Sequence, residues 1–149
     1  MIEIFIENRQ NKKRVSEAKL AGWIRKILKR MGWKKVSLSL ALVTDSEIRR
    51  LHRQFMGIDS VTDVLAFPQK KPFLGDVVVS VETALRVGPY FGNRWDEELL
   101  LYVCHGILHL KGYRDSTARK KARMDKKQES ILKEILGAKW RSKKRKPLF

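Results

Sequence analysis

The segment Trp95–Lys111, WDEELLLYVCHGILHLK, predicts a helix that is apolar on almost every side. A helix of this kind is buried among the other elements of a globular protein. We therefore expect it to lie at the centre of the fold, with the remaining elements packed around it. Its apolar residues are Leu99, Leu100, Leu101, Tyr102, Val103, Cys104, Ile107, Leu108 and Leu110.

Two of the three histidines of the chain lie on this helix, four residues apart. His105 and His109 therefore project from one face, a single turn apart, where both can bind one metal ion. Gly112 can end the helix in a left-handed conformation and turn the chain, which brings Asp115 within reach as a third ligand. Burying two histidines without partners would cost several kcal/mol. The pattern therefore predicts a mononuclear metal site rather than two core histidines.

The spacing of these ligands resembles that of the metzincin proteases, in which a glutamate after the first histidine acts as general base. Gly106 occupies that position here, so a peptidase mechanism of that type lacks its base. A structural zinc site usually has four protein ligands, and the adjacent Cys104 lies one residue off the ligand face. Three ligands and an open fourth position favour catalysis, because the metal lowers the pKa of a bound water toward ~7.

Alternation of apolar residues and helix-capping signals predict the rest of the fold. The predicted strands are Ile2–Ile6, Val36–Val43, Asp63–Phe67 and Asp76–Val81, and the connection Pro68–Gly75 suits a turn between neighbouring strands. The predicted helices run from Ser16 to Gly32, Thr44 to Gly57, Glu82 to Val87, Trp95 to Lys111 and Ser116 to Leu136. This order predicts a single α+β domain, residues 1–141, with a small four-stranded mixed sheet packed against about five helices. We expect residues 142–149 to form a flexible basic tail.

The charge of the chain indicates a polyanionic partner. Its 149 residues include 33 Lys and Arg against 16 Asp and Glu, a formal net charge of +17. The acids are too few to pair these bases across the surface, so nucleic acid or a ribonucleoprotein is favoured over an ion-paired surface. An anionic membrane surface is less favoured, because no strongly amphipathic terminal helix is evident.

The single cysteine and the hydropathy pattern indicate where in the cell the protein is expected. Cys104 has no second cysteine with which to form an internal disulfide, so nothing indicates an oxidising environment. No apolar run approaches the ~20 residues that cross a bilayer, and no charged and apolar leader is recognisable. We expect a cytoplasmic protein.

Three motifs resemble those of the YbeY-type endoribonucleases, a family also called rRNA maturation factors. The segment His105–Tyr113 matches every specified position in the first nine residues of the family hallmark His-Gly-x-Leu-His-Leu-x-Gly-Tyr-Asp-His. The segment Thr62–Pro68 resembles Thr-Asp-Val-Leu-Ser-Phe-Pro, and Leu74–Val79 resembles Leu-Gly-Asp-Ile-x-Ile. The order and spacing of the motifs agree over nearly the whole chain.

The resemblance implies a single-domain bacterial enzyme that cleaves single-stranded RNA in 3′-end maturation of small-subunit rRNA and in ribosome quality control. It implies one Zn²⁺ per chain, bound in the family through three histidines. His105 and His109 match two of them and Asp115 stands at the third position, so these three are the expected metal ligands and catalytic residues. Single-stranded RNA, rRNA and the small ribosomal subunit or its assembly proteins are the implied partners. Neither a membrane nor a nucleotide cofactor is expected.

Two positions depart from the family pattern. The third histidine ligand of the family falls on Asp115, and Arg114 precedes it in place of an aspartate. Aspartate is a harder, anionic ligand that would leave the bound water less acidic. The Tyr-Arg pair of the family falls on Phe55 and Met56, which removes a cation expected to face the phosphate.

Weaker signals nominate RNA contacts and leave the function partly open. The candidates are Arg49, Arg53, Thr62, Asp63 and Arg114, of which the first two could replace the missing cation. Thr62 and Asp63 could equally cap a turn. A non-catalytic ribosome-assembly factor with a structural metal is the competing hypothesis, and a metal-dependent hydrolase of another substrate is the third.

Overall fold

Four strands and five helices follow the predicted order in the computed structural model, which describes residues 1–138 and 140. The strands are β1 (Ile2–Asn8), β2 (Val36–Val43), β3 (Val64–Pro68) and β4 (Phe73–Ser80). The helices are α1 (Glu17–Arg30), α2 (Asp45–Met56), α3 (Val81–Tyr90), α4 (Trp95–Lys111) and α5 (Ala118–Leu136). The prediction of a single α+β domain is confirmed. The predicted tail, 142–149, lies outside the described residues, and the boundary at residue 141 stays a prediction.

The strands form one mixed sheet in the order β1-β2-β4-β3. Strand β2 runs parallel to both β1 and β4, whereas β3 and β4 are antiparallel. The turn 69–72 joins β3 to β4, so the connection rich in proline and glycine does link neighbouring strands, as predicted. None of the five helices described is long and apolar enough to cross a membrane.

The two faces of the sheet bury different sets of side chains. Leu38 and Leu40 of β2, with Val77 of β4, belong to the large core that α1, α4 and α5 cover. Val78 points to the opposite face, where it packs with Ile48 of α2 in a smaller cluster. Strand β4 is therefore buried on both faces, which explains its continuous run of valines.

Helix α4 is the central helix, as predicted. Its residues from Glu98 to Leu108 are buried with the exception of His105, and it packs against β3, β4, α1, α3 and α5. Burial raises the pKa of the Cys104 thiol to about 12, so this side chain stays protonated and inert near neutral pH. The metal chemistry of the helix therefore rests on its histidines.

Several predicted boundaries move. Strand β4 begins at Phe73 rather than Asp76, because Ser37 of β2 already pairs with Phe73. Val81, predicted as the last residue of that strand, begins α3, and the Ser80 hydroxyl caps the helix by accepting from the Thr83 N–H at 3.2 Å. Sequence periodicity did not reveal the switch because Val81 is apolar in either element.

Two helices also differ in extent from their predictions. Helix α3 continues past Val87 to Tyr90, since the Phe91 N–H donates to the Val87 and Gly88 carbonyls and closes the last turn. Helix α5 begins at Ala118 instead of Ser116, because Thr117 is the residue whose hydroxyl caps it. Neither difference affects the prediction that the two histidines lie on α4 and that Asp115 follows it.

Candidate metal centre

The structure brings His105, His109 and Asp115 together, with one ligand atom from each within 4.8 Å of the others. The two histidine Nε2 atoms are 3.1 Å apart. The Asp115 Oδ2 atom lies 3.8 Å from the His105 Nε2 and 3.6 Å from the His109 Nε2. The histidine side chains are about three-quarters buried, whereas the Asp115 side chain is 49% exposed. The cluster therefore opens to solvent on the side of the carboxylate.

The end of α4 places Asp115 beside the histidines. Gly112 adopts a left-handed conformation with φ of 109°, as predicted, and its N–H donates to the Leu108 and His109 carbonyls. The Tyr113 N–H also donates to the Leu108 carbonyl, at 3.0 Å. These bonds close the helix and reverse the chain. The carboxylate three residues after Gly112 therefore returns to the histidine face.

Hydrogen bonds of the two Nδ1 atoms determine that the Nε2 atom of each histidine faces the cluster. His109 Nδ1 donates to the Tyr113 carbonyl oxygen at 3.0 Å, and His105 Nδ1 donates to the Gln128 side-chain oxygen at 3.1 Å. Each neutral imidazole carries one proton, so both Nε2 atoms are left with bare lone pairs. Two lone pairs facing each other at 3.1 Å repel, and a cation between them removes the repulsion.

Electrostatics keep both histidines neutral. Burial lowers the pKa of His105 and of His109 below that of a free imidazole, and the neighbouring His105 adds to the effect at His109. Neutral imidazole is the form that binds a metal. The site is therefore ready for a metal near neutral pH without first losing protons.

The distances fit a tetrahedral metal site. Ligand bonds of ~2.0–2.1 Å, as zinc makes to histidine, place tetrahedral ligand atoms roughly 3.3–3.4 Å from one another. The three separations of 3.1, 3.6 and 3.8 Å bracket this value. Three protein ligands on one side leave the fourth, solvent-facing position for water or substrate. The residues present therefore fit a mononuclear centre with an open position.

Gly106, between the two ligands, lies where α4 packs closely against the sheet. A Cβ atom there would lie 2.7 Å from Val77 Cγ1 and 3.1 Å from Val64 Cγ2. Only glycine lets the helix pack this close to β3 and β4. The residue that removes the protease base is thus required by packing.

Gln128 is a member of the site that the sequence analysis missed. It lies on α5, is 9% exposed, and holds His105 through the hydrogen bond described above. A signal was present in the sequence, because Gln128 is the one polar residue in a buried stripe of α5 that also contains Met124, Ile131 and Leu132. The partner of His109 carried no such signal, since it is a backbone carbonyl.

We predict that Gln128→Leu weakens metal binding about 10–100-fold, the effect typical of removing a hydrogen-bond partner behind a metal-ligating histidine. The leucine fills the space without accepting the Nδ1 proton, so the His105 ring loses its orientation. Gln128→Glu keeps an acceptor and should retain most of the affinity. Competition titration with a chromophoric chelator measures both variants, and equal affinities for native protein and Gln128→Leu would contradict the assignment.

The residues predicted to contact RNA lie in different surroundings. The Arg49 guanidinium pairs with Asp59 at 2.9 Å, and Arg53 is exposed. Thr62 donates to the Asp63 carboxylate at 3.5 Å, while the Asp63 carbonyl accepts from the Ser80 N–H. These contacts serve the loop before β3, and the metal cluster itself contains none of these four residues.

Arg114, the fifth predicted RNA contact, and His52 also have local partners. Arg114 lies next to Asp115, where its guanidinium donates to the Tyr113 carbonyl at 3.3 Å. His52 of α2 is half-buried, and its Nδ1 lies 2.9 Å from the Ser60 carbonyl. The third histidine of the chain is therefore bound to its own loop.

Comparison with known proteins identifies the family. The sequence profile described as Endoribonuclease YbeY matches residues 5–136. The chain belongs to this family. The Endoribonuclease YbeY of Clostridioides difficile (strain 630) is 32% identical over 148 residues, which cover 90% of this chain and 97% of that protein. That of Persephonella marina is 38% identical over 132 residues, 83% of each chain.

A solved structure agrees with the fold of this YbeY family member. The solution structure of TM1509 from Thermotoga maritima superimposes with a TM-score of 0.64 at 30% sequence identity. The match covers 93% of this chain and 91% of that protein. The predictions of the YbeY family, and with it of an RNA-cleaving hydrolase, are confirmed.

Proposed function

We propose that the protein is a zinc-dependent endoribonuclease that cleaves single-stranded RNA in 3′-end maturation of small-subunit rRNA and in ribosome quality control. The observation that carries the proposal is the convergence of His105, His109 and Asp115 beside solvent in a YbeY family member. Bound at these residues, a metal would polarise the phosphodiester and lower the pKa of the attacking hydroxyl group.

The donor set supports zinc. Two imidazole nitrogens and one carboxylate oxygen are ligands that zinc accepts in tetrahedral sites, and catalytic zinc sites keep a fourth position open. Softer metals would favour thiolates, and the buried thiol of Cys104 is protonated. Harder ions such as Mg²⁺ favour sites made of oxygen ligands alone.

The residues of the chain have separate roles in this proposal. His105 and His109 direct their unprotonated Nε2 atoms to one point, and Gln128 and the Tyr113 carbonyl hold the two rings in that orientation. Asp115 adds a negative charge that offsets part of the charge of a dication. Its exposed side gives the RNA access, and the nucleophile is water or a ribose 2′-hydroxyl.

The charge of the chain supports RNA and the ribosome as partners. A net charge of +17 attracts a polyanion through the release of its counterions, independently of sequence. Contacts to phosphates position such a substrate without reading its bases. We therefore include rRNA, the small ribosomal subunit and a cytoplasmic location in the proposal.

Metal removal tests the proposal. We expect purified protein to cleave single-stranded RNA, to stop when a chelator removes the metal, and to resume when Zn²⁺ is added back. Gel analysis of end-labelled RNA gives the rate, and the product ends distinguish the nucleophile. Attack by water leaves a terminal phosphomonoester, whereas attack by a 2′-hydroxyl leaves a 2′,3′-cyclic phosphate.

The same experiment separates the competing functions. Binding of RNA and metal without any cleavage would favour a non-catalytic ribosome-assembly factor with a structural metal. Cleavage that persists in chelator would overturn the metal-dependent mechanism. Metal binding without RNA binding or cleavage would favour a hydrolase of another substrate.

A further inference from the structure

A cleft of about 520 Å³ lies between the end of α4 and the first turns of α5. Its lining residues are Lys111, Gly112, Tyr113, Arg114, Lys120 and Arg123. We propose that this α4–α5 cleft binds the single-stranded RNA next to the metal centre, with Lys120 and Arg123 contacting backbone phosphates and Tyr113 stacking on a base. The inference rests on the proposed function, since it states where the substrate of that site lies.

The cleft adjoins the metal ligands directly. Its wall begins two residues after His109, and Arg114 immediately precedes Asp115. Tyr113 lines this wall, and its carbonyl accepts a hydrogen bond from the His109 Nδ1 at 3.0 Å. The wall of the cleft and the metal ligand are therefore fixed to each other. An RNA strand bound in the cleft would therefore lie beside the metal centre.

The described part of the chain leaves the charges of the cleft without carboxylate partners. The lining that residues 1–138 and 140 form contains four cationic side chains and no carboxylate. Lys111 is engaged, with its ammonium 3.4 Å from the Met31 carbonyl and 4.6 Å from the Trp33 ring centroid. Within residues 1–138 and 140, Lys120 and Arg123 have no carboxylate partner.

Two other lysines of α5 have carboxylate partners outside the cleft. Lys121 pairs with Asp125 at 2.6 Å, and Lys133 pairs with Glu129 at 3.0 Å. Lys120 and Arg123, three residues apart, lie on one helix face and project into the cleft together. Cations without a carboxylate partner therefore line the cleft, which fits an anionic ligand.

The first turn of α5 adds to the positive potential. It contains no acidic residue, although acids are the residues that stabilise a helix at this end. Arg119 and Lys120 occupy the turn instead, beside the positive end of the helix dipole. Like charges at this end destabilise the helix, and a phosphate in the cleft would offset them.

Tyr113 and Arg123 combine an aromatic surface with a cation. The Arg123 guanidinium carbon lies 5.8 Å from the centre of the Tyr113 ring, while the half-buried ring packs against the core. Proteins that bind single strands without sequence preference pair such rings, which stack on bases, with cations that follow the backbone. A base that stacks on the ring would take the place of the guanidinium, which would then contact a phosphate of the same strand.

Helix α2 offers less free charge than the cleft. Arg49 pairs with Asp59 at 2.9 Å, and Arg53 also lies close enough to lower the pKa of the Asp59 carboxyl. Both predicted replacements for the cation missing at Met56 are therefore partly neutralised. The cleft, in contrast, is lined by Lys120 and Arg123, which have no carboxylate partner among the described residues.

Binding of a short single-stranded RNA with 2′-O-methyl riboses tests the cleft, with fluorescence anisotropy as the readout over a range of salt concentrations. We expect Lys120→Gln/Arg123→Gln to weaken binding about tenfold or more and to lower the salt slope by about 1.4, since each phosphate contact to a single strand contributes roughly 0.7. The native zinc content should be unchanged, because neither residue belongs to the metal cluster, and the melting temperature should not fall, because Lys120 does not stabilise the first turn of α5.

Lys12→Gln/Arg14→Gln is the matched variant, because it removes one lysine and one arginine elsewhere. Both residues are exposed in the loop after β1. Lys13 of this loop lies over Trp95 at the start of α4, roughly 25 Å along a helix of this length from the cleft. We expect a loss of twofold or less. Equal losses in the two double variants would overturn the cleft and indicate binding by diffuse charge.

Cross-linking at Tyr113 shows where on the protein the RNA binds. RNA that contains 4-thiouridine should photocross-link to Tyr113 or its neighbours, Tyr113→Phe should bind like the native protein, and Tyr113→Leu should bind less tightly. Cross-links confined to other surfaces would overturn the proposal. If unmodified RNA binds in the cleft but is not cleaved, the proposed nuclease activity fails while the cleft stands.

Discussion

His109→Ala will not retain one zinc ion per chain, and it will cleave single-stranded RNA at least about 1,000-fold more slowly than the native protein. The second effect follows because Lewis-acid catalysis by a metal contributes several kcal/mol. The variant removes one of two Nε2 atoms that face each other at 3.1 Å. The remaining His105 and Asp115 are two ligands, which are too few for a catalytic zinc site. Metal content by mass spectrometry and cleavage of end-labelled RNA measure the two effects.

His52→Ala is the matched control for this loss. It removes the other histidine of the chain, whose Nδ1 lies against the Ser60 carbonyl and which is not part of the metal cluster. We expect it to keep native zinc content and cleavage. Circular dichroism should show that His109→Ala is folded, and His109→Gln serves as a second variant if it is not. Native cleavage rates in a folded His109 variant would contradict the metal-dependent mechanism.

Asp115→Ala will lower zinc affinity by more than about 100-fold, beyond the ~10–100-fold effect of an outer partner, because its carboxylate is a direct ligand in the proposed site. The Oδ2 atom lies 3.6 and 3.8 Å from the two Nε2 atoms. Since the side chain is 49% exposed, its removal leaves no buried cavity and should not unfold the protein. RNA cleavage should fall in parallel with zinc occupancy.

Asp115→His tests whether Asp115 coordinates the metal or only contributes a nearby negative charge. Histidine restores a third neutral nitrogen, so we expect zinc to bind and the acidic limb of the rate profile to shift to lower pH, since a neutral ligand leaves the bound water more acidic. Asp125→Ala is the control, because this carboxylate also lies near His105 but pairs with Lys121. Zinc affinity that is unchanged in Asp115→Ala would show that this residue is not a ligand.

The parts of the site that follow from local geometry could be predicted from the sequence. The spacing of His105 and His109 fixes their shared face once α4 is a helix, and the all-round apolar character of α4 required it to be buried. Gly112 has the left-handed conformation that returns Asp115 to this face. Each of these steps depends on residues within about three turns of one another.

The parts that depend on distant packing could not be predicted in the same way. Gln128 reaches His105 only because α5 packs across α4, 23 residues further along the chain. The α4–α5 cleft likewise depends on the angle between two helices. The start of β4 at Phe73 is set by pairing with β2, and no local pattern distinguishes this start from one at Asp76.

The close packing at Gly106 separates two chemistries that share a ligand pattern. A base of the metzincin type would need a glutamate at a position where an added Cβ atom lies 2.7 Å from a methyl group of Val77. Such a side chain would overpack the contact between α4 and the sheet, a change that typically costs about 1–3 kcal/mol. Smaller residues in place of Val64 and Val77 would have to accompany the glutamate. The contact that holds the two histidines against the sheet therefore also disfavours the base of that protease mechanism.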